Sequence, residues 1–227
     1  MKSTDPVVSI DIVLLTILDG ALHVGLMKRE HEPFAGQLAL PGGKFDTEKD
    51  SDEYDAAVRI LREKTGVTSP YLEQLQTFAG ANRDPRGWTV SIAHFAVVHA
   101  KVADTADARF TWKAVDSVRT LPFDHARILQ AAIARVQTKS LYSSLPVHLM
   151  PQTFTLGQLQ AAYEVLVGSP LDKRSFRRRM DDLDLLVEVP GAVTTGAGHR
   201  PAQQYRVKDG ALGRLAVSGS NLGRKTV

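Results

Sequence analysis

The plainest chemical pattern in the chain is a run of cations, Lys173, Arg174, Arg177 and Arg178, which share one face at i,i+4 spacing if the segment is helical. Ammonium and guanidinium groups in such a row bind phosphate oxygens, and with Ser175 among them they describe a surface able to lie along a nucleic acid. A second pattern begins at Pro41-Gly42-Gly43-Lys44, passes through an acidic stretch and ends in a segment that carries Glu63 and Lys64 and is closed by Gly66. A third, Arg83-Asp84-Pro85-Arg86-Gly87, is a polar turn around a proline with two guanidiniums on it. Nucleophilic chemistry finds no support: there is no cysteine, and no Ser/His/Asp set can be argued. The seven histidines lack metal-ligand spacing and read as core, loop or surface residues.

The elements that must position these groups follow from periodicity. Residues 7–18 are rich in Val and Ile, Asp19-Gly20 turns the chain, and residues 22–29 return, which predicts a hairpin. Residues 29–40 carry charge, Pro33 and Gly36, and are expected to form a loop that delivers Phe34 and Gln37 to the Gly-Gly turn. Asp50 and Glu53 suggest a capping box for a helix whose apolar face is Tyr54, Ala57, Val58 and Leu61. Strands are expected over residues 72–78, 88–99 and 110–112. A helix capped by Asp124 should follow over 125–138, with Leu129, Ala132, Ile133 and Val136 inward.

Residues 139–152, with Ser143-Ser144, Pro146 and Pro151, read as a linker, and the last third changes character. Thr155 can cap a helix over 156–167, Gly168-Ser169-Pro170 breaks it, and Asp172 can cap a second helix over 173–183. On that helix Phe176, Met180 and Leu183 must face a core, which turns the four cations outward. A strand over 185–189, a Gly- and Thr-rich loop over 190–200 and a strand over 203–207 complete a winged helix-turn-helix, with Thr194, Thr195 and Arg200 on the wing. Length suits two modest domains, drawn as 1–145 and 146–227. Residues 1–150 carry 17 basic and 18 acidic side chains and residues 151–227 carry 11 and 7, so the basic excess belongs to the second part. Without a long apolar segment or a leader-like N-terminus, the expectation is a cytoplasmic protein with no membrane association.

The run Arg59-Ile60-Leu61-Arg62-Glu63-Lys64-Thr65-Gly66-Val67 resembles the second half of the Nudix box, Arg-Glu-aliphatic-x-Glu-Glu-x-Gly-aliphatic, with Ile60 and Lys64 in two of the three glutamate places. The upstream half is shifted, so that Ser51 stands where the pattern has a glutamate and Glu48 and Glu53 lie nearby. Nudix hydrolases hold Mg2+ on those carboxylates, and one surviving carboxylate makes a poor site for a hard cation. The Arg83 to Gly87 turn also resembles that family. With residues 171–180 and 199–207, the chain resembles Nudix-related transcriptional regulators of NAD metabolism over about residues 7–208.

The resemblance implies an α/β fold, a Nudix-type α/β/α sandwich with a mixed sheet followed by a small winged helix-turn-helix. It implies a homodimeric repressor of NAD biosynthesis or salvage genes that binds a near-palindromic double-stranded operator and is released by ADP-ribose or a related nucleotide. No catalytic residue, metal or required cofactor is expected. Candidate ligand contacts are Phe34, Gly42, Gly43, Lys44, Glu63, Lys64, Arg83 and Arg86, with the Lys64 ammonium in place of a metal's charge. The rival expectation is an active ADP-ribose pyrophosphatase with a DNA-binding appendage, in which Glu48, Glu53 or Glu63 binds metal. Phosphate release from ADP-ribose with Mg2+ separates the two.

Overall fold

The computed structural model describes residues 5–69, 71–103, 110–194 and 202–211, and the chain divides into two compact units, Met1–Leu18 with Leu22–Ala134 and Asp19–Ala21 with Arg135–Val227.

In the first unit the central strand is β1 (Val7–Leu18), whose run Ile10 to Leu15 is buried without a break. A strand covered on both faces must be apolar on both, and this one is, apart from Asp11. β1 pairs in parallel with β6 (Thr89–Val97) and antiparallel with β4 (Gly42–Lys44). With β2 (Ala21–Lys28), β3 (Leu38–Ala39), β5 (Leu72–Gly80) and β7 (Phe110–Ala114), it forms a mixed seven-stranded sheet of order β3-β2-β1-β6-β5, β4 resting on β1 and β7 on β2. Asp19 and Gly20 both take positive φ, 49° and 73°, the geometry of a two-residue hairpin turn. The expected loop over 29–40 contains β3 and a cis Glu32-Pro33 peptide.

Helix α1 (Glu53–Thr65) packs Ala56, Ala57, Ile60 and Leu61 onto Ile10, Ile12 and Leu14 of β1. Two expectations fail here. The cap is Asp52, which accepts the Asp55 N–H at 2.8 Å, because the Asp50 carboxylate is already taken by Arg59 at 2.6 Å. The expected apolar face holds at Ala57 and Leu61 and fails at Tyr54 and Val58, which are exposed: the buried stripe runs through Ala56 and Ile60 instead, since the small alanines allow the closest approach to the sheet. Past the single turn α2 (Ala100–Ala103), α3 (His125–Ser140) begins on the opposite face of β1, where His125 meets Asp11. Helices on both faces of the mixed sheet make the α/β/α sandwich.

In the second unit α4 (Leu156–Val167) starts at a Thr155–Gln158 capping box and ends at Gly168, and α5 (Lys173–Leu183) starts at Asp172. Both helices bury their apolar faces in one cluster that includes Phe154, Leu159, Tyr163, Phe176, Met180 and Leu183. The sheet has three antiparallel strands in the order β8 (Phe154–Thr155), β10 (Ala202–Val207), β9 (Leu186–Thr194). β9 runs on through Pro190 into the expected loop, and its edge position tolerates a residue without an N–H. The expected linker is a second correction: residues 143–149 are buried, residues 145–149 form a 3-10 turn, and Val147 enters the core.

Candidate functional site

Asp11 is the residue around which the cleft of the first unit is built. Its strand neighbours are apolar, yet its carboxylate accepts from Ser91 Oγ at 2.6 Å and Arg83 Nη2 at 3.3 Å, with His125 Nε2 at 3.5 Å. Burial works against its charge, and the His125 ring, the Ser91 hydroxyl and the Arg83 guanidinium outweigh it, holding the carboxyl at about 2. Gly42 lies directly opposite on β4. A Cβ there would overlap Asp11 Oδ1 and approach the Ile10 carbonyl to 2.9 Å, so only glycine lets the Gly-Gly turn lie this close.

The cleft has a volume of about 200 Å³ and is walled by Asp11, Gly42, Gly43 and Lys44 on one side and by Arg29, Arg83, Asp84, Arg86, Phe123 and His125 on the other. Arg83 is committed within it: Nε and Nη2 donate to Asp124 at 3.1 and 2.8 Å, and Nη1 to Thr89 at 3.0 Å. The Asp124 carboxylate, expected as a helix cap, thus holds Arg83. Arg86 is held bidentately by Asp84, at 3.0 and 2.6 Å, with its side chain more than half exposed. Arg29 donates to the carbonyls of Pro33 and His31, at 2.8 and 3.2 Å, and lies 4.7 Å above the Phe123 ring. Burial, and then repulsion from Arg86, which lies 5.7 Å from the same ring, lower the Arg29 pKa.

Five of the eight ligand contacts expected from sequence meet here: Gly42, Gly43, Lys44, Arg83 and Arg86. Phe34 stands edge-on to Phe123 at 5.0 Å, in an adjoining hollow with Arg83 and Asp84. The other two are placed elsewhere. Glu63 is exposed and bonds Arg59 at 3.2 Å, one helical turn back. Lys64 is exposed and lines an adjoining hollow of about 170 Å³ that shares Arg29, Leu40 and Gly42 with the cleft. Ile60 is core, only 1% exposed and packed under Gly43, so the place where the Nudix box has its first glutamate turns into the core while Glu63 and Lys64 stay exposed. Among the described residues no three His, Asp or Glu side chains form a metal-sized group.

Sequence reading passed over Asp11, Arg29, Asp84, Phe123 and His125. A lone aspartate inside the run Ile10 to Leu15 was the signal that could have found the first of these. Phe123 takes φ 57°, a left-handed conformation uncommon for a large side chain, and nothing in its local sequence announces that.

In the second unit Lys173, Arg174, Arg177 and Arg178 stand exposed on α5, and Ser175 is half-buried in the first turn, its N–H given to Asp172 at 2.9 Å. Positive charge in the first turns of a helix opposes its dipole, at a cost of about 0.3–1 kcal/mol per charge, so these cations do not serve the helix. A groove of about 810 Å³ runs beside them, lined by Lys173 and Arg177, by Gly157 and Gln160 of α4, and by Gln203 and Tyr205 of β10. Thr194 ends β9, paired with Ala202, while Thr195 and Arg200 lie outside the described residues. Sequence reading missed Arg179 on the same helix, which is wholly buried.

Residues 8–141 match the NUDIX domain family and residues 146–207 the NrtR DNA-binding winged helix domain. The ADPR responsive transcriptional repressor NtrR of Acinetobacter baylyi is 39% identical over 206 residues, covering 88% of this chain and 82% of that protein. The crystal structure of Shewanella oneidensis NrtR with a 27mer DNA superposes with a TM-score of 0.87 at 34% identity, over 95% of this chain and 99% of that one. The NUDIX domain of the same protein, crystallised with ADP ribose, gives a TM-score of 0.55 at 32% identity, over 59% of this chain and 90% of that one.

Proposed function

The chain belongs to the family of Nudix-related transcriptional regulators of the NrtR type, and on that premise we propose that it is a repressor that binds double-stranded DNA through α5 and leaves it when ADP-ribose occupies the cleft of the first unit. The observation that carries this reading is the exposed row Lys173, Arg174, Arg177 and Arg178, four charges beside a groove, the first two of them set against the dipole of their own helix. Those four and Ser175 contact the major groove and its phosphates, with Thr194, Thr195 and Arg200 on the wing. The domains are residues 1–145, which sense the nucleotide, and 146–227, which read DNA. The repressor works as a homodimer, which presents two α5 helices, so its operator is a near-palindrome with half-sites one or two helical turns apart. Its targets are genes of NAD biosynthesis or salvage.

In the cleft, the Gly42-Gly43 turn lets the pyrophosphate approach the backbone and Lys44 offers it an ammonium, and Arg29, Arg86 and Phe34 border the same space. Arg83 acts through Asp11 and Asp124 and shapes the wall. The protein is no hydrolase, since Ile60 is core and Lys64 is an ammonium where the Nudix box has carboxylates, and effector binding needs no metal. A gel shift on the DNA upstream of neighbouring NAD genes, with ADP-ribose added in excess EDTA, tests both halves. Retention of the complex at saturating ADP-ribose overturns the release step, and turnover of ADP-ribose with Mg2+ on the order of 1 s−1, an ordinary enzyme's rate, overturns the non-catalytic reading.

A further inference from the structure

Two residues, Leu40 and Pro41, join β3 to β4 and lead the chain into the Gly42-Gly43 turn. Both are buried, so their backbone groups need partners inside the protein. The Pro41 carbonyl accepts the Ile12 N–H at 2.8 Å, and proline has no N–H to satisfy. The Leu40 N–H donates to His125 Nδ1 at 3.0 Å, across 85 positions of sequence.

A backbone N–H only donates, so Nδ1 is the acceptor and the imidazole carries its proton on Nε2. Nε2 faces Asp11 Oδ1 at 3.5 Å. The two oxygens of Asp11 are thereby divided. Oδ2 accepts from Ser91 Oγ at 2.6 Å and from Arg83 Nη2 at 3.3 Å, whereas Oδ1 faces His125 and is the atom that a Cβ on Gly42 would overlap. One imidazole therefore reaches the turn twice, directly at Leu40 and through Asp11 at Gly42, the strand partner of Asp11.

The ring is itself held. Arg83 donates to Asp124, the residue before His125, at 3.1 and 2.8 Å as well as to Asp11, and the Phe123 ring packs on the imidazole at 5.2 Å. Asp11, Leu40, Arg83, Phe123 and His125 all belong to the first unit, so the arrangement is complete within it. With 4% of its surface exposed, His125 offers a ligand little direct contact.

We propose that His125 is a positioning residue for the effector, which acts through Leu40 and Asp11 to hold residues 40–43 in the shape that receives the pyrophosphate. A turn already in its binding shape gives up less conformational freedom when the ligand arrives, and affinity gains what ordering would have cost. The bond on Nδ1 sets where the turn begins, and the contact on Nε2 sets the carboxylate against which Gly42 lies. A neutral imidazole suits both jobs, because it carries an acceptor and a donor in one rigid plane.

The inference rests on the reading of the cleft as an ADP-ribose site, and the test separates the two. Full-length wild type, His125→Phe, His125→Asn and His125→Gln are compared by ADP-ribose Kd from calorimetry at a temperature where they are folded, and by thermal unfolding. Phenylalanine keeps a ring against Phe123 and loses both polar contacts. The asparagine oxygen falls close to the place of Nδ1 and can keep the Leu40 bond, while the longer glutamine reaches toward Asp11 with its amide. The expected result is an affinity about tenfold weaker in His125→Phe, the size of one or two hydrogen bonds, with His125→Asn and His125→Gln each recovering part of the loss. Should His125→Phe not fold, the other two carry the test, each binding more weakly than wild type. A merely structural histidine lowers the unfolding temperature and leaves Kd where it was, so wild-type affinity in every folded variant overturns the positioning role. So does a loss in His125→Phe that neither polar variant recovers at all. In the ligand-free wild type, proton–nitrogen NMR correlations should show the Nε2–H tautomer of His125, and the Nδ1–H tautomer or a doubly protonated ring overturns the role as well. Absence of ADP-ribose binding to the wild type overturns the reading of the cleft and the positioning role together.

Discussion

Arg83 and Arg177 carry the same guanidinium in opposite circumstances. Arg83 is 9% exposed, and its donors go to Asp124, Thr89 and Asp11. Arg177 stands in water on α5 beside an open groove. Arg83 is spent on fixing the shape of a cleft, while Arg177 is presented outward to solvent. Charge that is committed internally should show itself in stability, and charge that is displayed should show itself in binding.

The largest effect that can break this contrast is on Arg83. Arg83→Ala leaves Asp11 and Asp124 without their shared cation and should cost about 3–5 kcal/mol in urea unfolding. Arg177→Ala should leave the unfolding midpoint within about 0.5 kcal/mol of wild type. If Arg177→Ala unfolds the protein and Arg83→Ala does not, the division is wrong.

Acid sharpens the comparison through a buried imidazole of the second unit and a buried carboxylate of the first. Burial pushes His148 of the second unit from 6.5 down to about 4. The unfolded chain takes up that proton first, so the stability held by neutral His148 is complete above 6.5 and is lost as pH falls toward 4, about 3 kcal/mol in all. Asp11 of the first unit is held at about 2 against an ordinary 3.8, so its contribution is complete above 3.8 and fades only as pH falls toward 2. Hydrogen exchange read unit by unit between pH 7 and 3 should show the second unit opening first, and His148→Leu should remove the step near pH 5.

Next in size is operator affinity. Arg177→Ala should weaken operator binding by about 1–3 kcal/mol and flatten its dependence on salt, measured by fluorescence anisotropy over a salt series. The smallest effect belongs to Lys64. It lies in the hollow beside the cleft, so Lys64→Ala should change calorimetric ADP-ribose affinity by no more than about 0.5 kcal/mol. A large loss would return the lysine to the metal-replacing role that its sequence position suggested.

Local chemistry made much of the second unit legible. Thr155 and Asp172 cap the helices that their spacing announces, and Phe176, Met180 and Leu183 face inward because i, i+4, i+7 permits nothing else. Arg179 escaped because it is one more arginine in a basic run, and only its neighbours Leu141 and Ser143, just past α3, and Tyr163 of α4 make it a core residue. The first unit was less legible. Asp50 looked like a cap and became the partner of Arg59, and Lys64 looked like part of the cleft and was set beside it.

By itself the sequence determined what is local: the helix boundaries written in Thr155, Asp172, Gly66 and Gly168, the outward row of cations on α5, and the family pattern around Gly42-Gly43 and Arg59. Tertiary structure alone decided the cleft, since Asp11, Arg83 and His125 come from a central strand, a turn and the start of a helix far apart in the chain. The physical reason is range. Caps and amphipathic stripes are settled within about one or two helical turns, whereas a buried carboxylate finds its guanidinium and imidazole only when the sheet is assembled and water has been removed.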